Sequence, residues 1–184
     1  NLNGENRGKN GYGETEDPST WVWTESDLIM VDLIKEFHKN GIRVIFDGVF
    51  NHSSNEHWTF NMVLADGENS KYKDWYKFTD FGEHVPITDE MNEEQAFETL
   101  IANRKRTAYN AWAGFDSLPE FNTFNQEYKE YIFNITRKWM YGPDGKESKN
   151  WMEDDGIDGW RLDVPNCLEN QNFWNEWREV VKGS

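Results

Sequence analysis

The run Ile42-Arg43-Val44-Ile45-Phe46-Asp47-Gly48-Val49-Phe50-Asn51-His52 decides the architecture. Its first part, Ile42 to Asp47, is apolar and β-branched, the composition of a strand buried on both faces of a sheet. Its second part, Asp47 to His52, places an acid, an amide and an imidazole within six residues at the strand's C-terminal end, where parallel α/β folds bind ligands. Upstream, Thr24 is the expected N-cap of a helix, with Asp27 behind it and Leu28, Ile29, Val31, Leu33, Ile34 and Phe37 at helical spacing. Asn40-Gly41 ends that helix. Helix, glycine and buried strand in succession are an α/β signature.

The same order returns later in the chain. Asn125 is the expected N-cap of a helix to about Met140, with Tyr128, Tyr131, Ile132, Ile135 and Trp139 on one broad face and Tyr141-Gly142-Pro143 as its stop. A second short strand, Gly159-Trp160-Arg161-Leu162-Asp163-Val164, precedes a last helix from about Asn170 to Lys182. Residues 1–19 read as a loop entering from elsewhere, and the stretch from Ser53 to about Ser117 is irregular, aromatic and polar. That stretch is too long for an ordinary connection and reads as an inserted subdomain or a functional lid. Two parallel strands joined by a crossover with a helix suit a doubly wound sheet or a (β/α)8 barrel. A barrel takes roughly 200 residues at least and commonly about 250, so these residues would form only part of one.

Composition narrows the partners. Among 184 residues, 19 Lys and Arg face 34 Asp and Glu, a formal charge of −15, and no basic stripe offsets it. Nucleic acid and anionic membrane surfaces are therefore not expected partners. Ten Trp, 12 Phe and 7 Tyr supply the material for a core of single-domain size. No apolar run approaches the roughly 18 residues of a membrane-spanning helix. The start at Asn1 leaves both a removed signal peptide and a truncated beginning open, and the expectation is a soluble protein, periplasmic or extracellular slightly ahead of cytoplasmic. The lone cysteine, Cys167, excludes an internal disulfide and a thiolate zinc cluster and reads as a small buried side chain.

Arg161 and Asp163 are two apart on a strand, so both project to one face while Trp160 and Leu162 project to the other. A guanidinium beside a carboxylate favours the ionised, nucleophilic form. A structural ion pair is the competing reading of these two residues, and turn chemistry is the competing reading of Asp47, Asn51 and His52 taken singly.

Together, Asp47-x-Val49-x-Asn51-His52 and Gly159-x-Arg161-x-Asp163 resemble the first and second motifs of the α-amylase family, glycoside hydrolase family 13. Ser117-Leu118-Pro119-Glu120-Phe121-Asn122-Thr123 resembles the short motif that the family carries near the end of its subdomain B. The resemblance implies a partial (β/α)8 barrel: residues 1–52 with helix and strand 3, residues 53–118 as subdomain B, and residues 119–184 with strand 4 and its helices. It further implies that Asp163 is the nucleophile of a retaining glycosidase. Arg161 would orient it, Asp47 would brace Arg161, His52 would bind the sugar in the cleaved subsite, and Asn51 is a position from which many α-amylases bind calcium. Calcium is the one cofactor in view, and the expected partners are an α-glucan or maltooligosaccharide and the remainder of the barrel.

Where many α-amylases have a Lys-His pair after the nucleophile, this chain has Asn166-Cys167. Asn166, a substrate-side position, leans towards the neopullulanase and cyclomaltodextrinase branch, and Cys167 departs from both patterns. The family takes its general acid from the fifth strand and a third carboxylate from the seventh. Glu120, Glu153 and Asp155 match neither position, so these 184 residues alone are expected to be inactive. Trp21, Trp23, Trp58, Trp75 and Trp112 could stack on sugars, though packing is the commoner use of such rings. The other readings are a non-catalytic glycan-binding or structural homologue, and a phosphoryl-transfer domain with Asp47 as nucleophile, for which no glycine-rich phosphate loop is present.

Overall fold

A computed structural model describes residues 7–145 and 150–183, so the first six residues of the expected entry loop and the middle of the loop after Pro143 lie outside the described residues. The chain divides into two compact units. One combines Asn51–Tyr128 with the chain up to Thr20, and the other combines Trp21–Phe50 with the chain from Lys129. The expected insert, 53–118, lies inside the first.

In the second unit, helix α1 spans Glu25–Lys39 and begins as expected. The Thr24 side chain accepts from the Asp27 amide, and the Thr24 amide donates to the Asp27 carboxylate, each at 3.1 Å. The helix ends before Gly41, whose φ of 71° is a conformation a side chain would resist. Strand β1 is Ile45–Gly48, shorter than the expected 42–47, because the Val44 amide is drawn off to the side chain of Asp158 at 2.7 Å. The same Asp158 oxygen lies 2.9 Å from Nε2 of the buried His38, whose Nδ1 lies 3.0 Å from the Asp154 carbonyl. One carboxylate thus ties α1 to the entrances of both strands of the unit.

Strand β4, Gly159–Leu162, pairs in parallel with β1, and Asp47 stands opposite Arg161. Phe46 and Trp160 turn inward and meet Trp139, Phe50 and Trp177, with Trp177 and Phe173 supplied by helix α5, Phe173–Lys182. On the opposite face Ile45 is 60% exposed, with no described residue covering that side of the two-stranded pair.

The other unit corrects the reading of 53–117 as irregular. Helix α2 spans Trp58–Asp66 and helix α3 spans Glu93–Arg106. Six of the nine α2 residues are buried, so it shows no polar face from which a period could be read. Strands β2, Phe78–Asp80, and β3, Ala108–Tyr109, pair antiparallel, and Phe60, Tyr76, Phe78 and Tyr109 form the adjoining aromatic core. Asn103 of α3 is fully buried and fully used. Its amide donates to the carbonyls of Leu64 and Val85 at 2.8 and 2.7 Å, and its oxygen accepts from the Val85 amide at 3.1 Å. His57 caps α2, and burial lowers its pKa from 6.5 to about 4.

Helix α4, Gln126–Tyr141, starts at Asn125, whose side chain accepts from the Tyr128 amide at 2.9 Å as expected of an N-cap. No described helix is long and apolar enough to cross a membrane.

Candidate active site

The ladder between β1 and β4 continues one step past the strands, where the Asp163 amide donates to the Gly48 carbonyl at 3.0 Å. This bond holds Asp163 on the open face beside Arg161 and Asp47, as the two-residue alternation requires. A single guanidinium nitrogen, Nη1 of Arg161, lies 2.8 Å from both carboxylate oxygens of Asp47 and 2.9 Å from Oδ1 of Asp163. Hydrogen bonding to Asp47, then its charge, with Asp163 adding to both, hold the Arg161 pKa above its ordinary value. The cluster therefore presents one carboxylate, that of Asp163, oriented by a guanidinium. Arg161 and Asp47 have 56% of their side-chain surface exposed, and Asp163 has 28%.

Straight after Asp163 the backbone turns through a left-handed Val164, and a short 3₁₀ turn, Pro165–Cys167, carries Asn166. Asn166 is exposed, and so is Cys167, against the expectation of a buried thiol: the turn projects from the strand end instead of packing beneath it.

Asn51 and His52 belong to the other unit, where the first motif's tail meets the third motif. The Phe121 amide donates to the Asn51 carbonyl at 2.9 Å, and His52 bridges antiparallel to Glu120. The Ser53 and Asn55 amides donate to the carbonyls of Pro119 and Ser117 at 3.0 and 2.9 Å. The His52 ring stacks on Trp112 at 5.1 Å. Asn51 is buried, with its amide nitrogen 3.3 Å from Nδ1 of His52. A calcium ion takes about six to eight oxygen ligands. No group of three or more His, Cys, Asp or Glu among the described residues could hold a metal.

The remaining carboxylates of the sequence reading have partners: Glu120 pairs with Lys77 at 3.0 Å, Asp155 with Lys35 at 3.0 Å, and Glu153 accepts from Asn150 at 2.8 Å. Most of the candidate sugar-stacking tryptophans also serve as packing. Trp75 is buried, Trp21 and Trp23 meet Tyr131 and Trp139 edge-on, and Trp58 meets Tyr72.

Residues 24–182 match the family model described as alpha amylase, catalytic domain. The chain belongs to the α-amylase family. Neopullulanase 2 of Thermoactinomyces vulgaris is 36% identical over 177 residues, covering 90% of this chain and 25% of that protein. A maltogenic α-amylase of Bacillus acidopullulyticus is 37% identical over 150 residues, covering 82% of this chain and 20% of that one. Among solved structures, a debranching enzyme of Nostoc punctiforme superimposes with a TM-score of 0.61 at 34% identity, over 85% of this chain and 26% of that one. Cyclic α-maltosyl-(1→6)-maltose hydrolase of Arthrobacter globiformis, in complex with the sugar of its name, gives 0.59 at 30% identity, over 84% and 28%.

The chain thus spans about a quarter of the length of such α-amylase-family relatives. Membership implies a TIM-barrel fold for the parallel pair and a glycoside hydrolase family for the sequence. The relatives from the neopullulanase and cyclomaltodextrinase branch agree with the lean that Asn166 suggested. The sequence did not single out the His38–Asp158 pair or the fully bonded Asn103. The first joins residues 120 apart. The second sits in a helix whose N-cap pair, Asn92 and Gln95, was the available signal.

Proposed function

We propose that these residues are strands 3 and 4, with subdomain B, of a retaining α-glucan hydrolase acting on starch-type polysaccharides or maltooligosaccharides. Asp163 is the nucleophile: its carboxylate attacks the anomeric carbon, the glycosidic bond to the leaving sugar breaks, and a covalent glycosyl-enzyme forms. Water then attacks the same carbon from the vacated side, giving its proton to the carboxylate that earlier protonated the leaving oxygen, and the bond to Asp163 breaks, which returns the original anomeric configuration. Arg161 orients the carboxylate, and Asp47 braces Arg161 from the neighbouring strand. His52 hydrogen-bonds the sugar in the cleaved subsite, and Asn166 lies on the acceptor side. The proton for the leaving oxygen comes from a carboxylic acid elsewhere in the protein, standing about 5 to 5.5 Å from the nucleophile.

One observation carries this reading: a single guanidinium nitrogen bridges two carboxylates on the open face at the C-terminal ends of adjacent parallel strands. The names of the relatives and structures, among them neopullulanase, maltogenic α-amylase and cyclic maltosyl-maltose hydrolase, support the substrate class.

The test is a reducing-sugar assay on starch, pullulan and maltooligosaccharides with the full-length protein, its Asp163→Asn variant, and the 184-residue stretch alone. Turnover by the first only, with the product's initial anomer matching the bond cleaved, is the expected result. Tight maltooligosaccharide binding by the full-length protein without hydrolysis would instead support a non-catalytic glycan-binding role.

A further inference from the structure

Val164 is held at φ 40° and ψ 47°, in the left-handed region. Three preferences oppose this. The conformation brings Cβ against the following carbonyl, a β-branched side chain tolerates it worst, and a residue before proline is pushed towards extended backbone. Such a conformation persists only where the surroundings over-determine it, and it then marks functional sites.

The surroundings do so here. On one side the Asp163 amide is fixed to the Gly48 carbonyl at 3.0 Å. On the other, the Pro165 carbonyl accepts from the Trp174 indole N–H at 2.9 Å. The Trp174 ring is itself wedged among Phe173, Trp177 and Phe50 at 5.2, 6.0 and 6.2 Å. Below the turn, the Cys167 amide donates to the Val164 carbonyl at 2.9 Å, and Leu168 is buried. With both neighbours pinned, the dihedral angles of Val164 absorb the difference. The strand breaks directly behind Asp163, and the Asp163 carboxylate stays against Arg161 instead of following the strand outward.

We infer that Val164 is a positioning residue for Asp163, kept left-handed by the hydrogen bond from Trp174 to the Pro165 carbonyl. The inference rests on Asp163 being the nucleophile. Through this bond, helix α5, which reaches no reacting atom, sets the aim of the reacting carboxylate.

The test uses the full-length protein with Trp174→Phe, which keeps a ring in the cluster and removes the donor, and with Val164→Gly, which accepts the left-handed conformation without strain. Trp174→Phe is expected to lower kcat by roughly 10- to 100-fold, as expected for a misplaced reacting group, with KM nearly unchanged. Adding Val164→Gly to Trp174→Phe is expected to restore most of that loss, because the turn no longer needs holding. Val164→Gly alone is expected to raise Tm by roughly 2 to 4 °C. A Trp174→Phe kcat equal to that of the parent, or a double variant no faster than Trp174→Phe, overturns the positioning role. A lower Tm for Val164→Gly overturns the strain. Absence of turnover by the parent on every α-glucan overturns the functional reading and the positioning role with it, while the Tm comparison still decides the strain.

Discussion

The two units treat their polar side chains in opposite ways. In the unit of parallel strands, Asp47, Arg161 and Asp163 lie in the open, bonded chiefly to one another. In the unit of the insert, Asn103 is interior and saturated by main-chain partners, and His57 is partly buried as the cap of α2. Interior polar groups with every bond made specify a fold, because leaving any of them unpaired costs free energy. Charges gathered around one another at the strand ends answer instead to the reaction proposed for Asp163. The contrast separates a set proposed for activity from a set that serves architecture.

The largest effect that could break this contrast is at Asp163. In the full-length protein Asp163→Asn is expected to reduce kcat by about 1,000-fold or more, since it deletes the attacking group, while Tm stays that of the parent. A large fall in Tm would make Asp163 architectural.

Next is the reverse case. Asn103→Ala strands the Val85 carbonyl and amide, at about 1 to 3 kcal/mol each where no water reaches them, while the Leu64 carbonyl keeps the His84 ring nitrogen, so urea denaturation should show roughly 2 kcal/mol or more of lost stability. A loss under about 1 kcal/mol would mean that the insert does not depend on its saturated interior.

His57 sharpens the comparison through pH. Burial holds its pKa near 4 instead of 6.5, so as pH falls the unfolded chain takes up a proton before the folded protein does. Its contribution is undiminished above pH 6.5, erodes between 6.5 and 4, and levels off below. The full span amounts to roughly 3 kcal/mol, from 1.36 kcal/mol per pKa unit. His57→Asn keeps an N-cap and removes the titration, so its stability should decline less steeply over that interval. Parallel curves for the two proteins would contradict the buried, neutral imidazole.

The smallest effect concerns Asp47. Asp47→Asn is expected to lower the kcat of the full-length protein less than Asp163→Asn does, because the brace on Arg161 weakens while the attacking group remains, and a kcat equal to the parent's in the reducing-sugar assay would break the link between Asp47 and Arg161.

What the sequence disclosed was mostly local. The Thr24–Asp27 capping box, the Asn125 cap and the two-residue alternation of Arg161 and Asp163 depend on neighbours within a few positions, and the structure agrees with each. The extent of β1 was misjudged because Asp158, far along the chain, takes the Val44 amide. Helix α2 escaped notice because burial nearly all round erases the periodicity on which helix detection relies. Helix α3 did carry a readable signal in Asn92 and Gln95, obscured by the polar character of the rest. Cys167 was placed inside on the habits of its residue type, whereas its position on a projecting turn decides the matter. At the site, residue identities were legible, but the bridging of two carboxylates by one nitrogen was not, since it depends on the register of Asp47 against Arg161.

The most direct measurement is to trap the intermediate. The full-length protein would be incubated with a fluorinated α-glucosyl fluoride, whose glycosyl-enzyme hydrolyses slowly, then digested and mapped by mass spectrometry. The account predicts one added glycosyl group, carried on Asp163. A label on another carboxylate, or full turnover with inversion of configuration and no adduct, would contradict it.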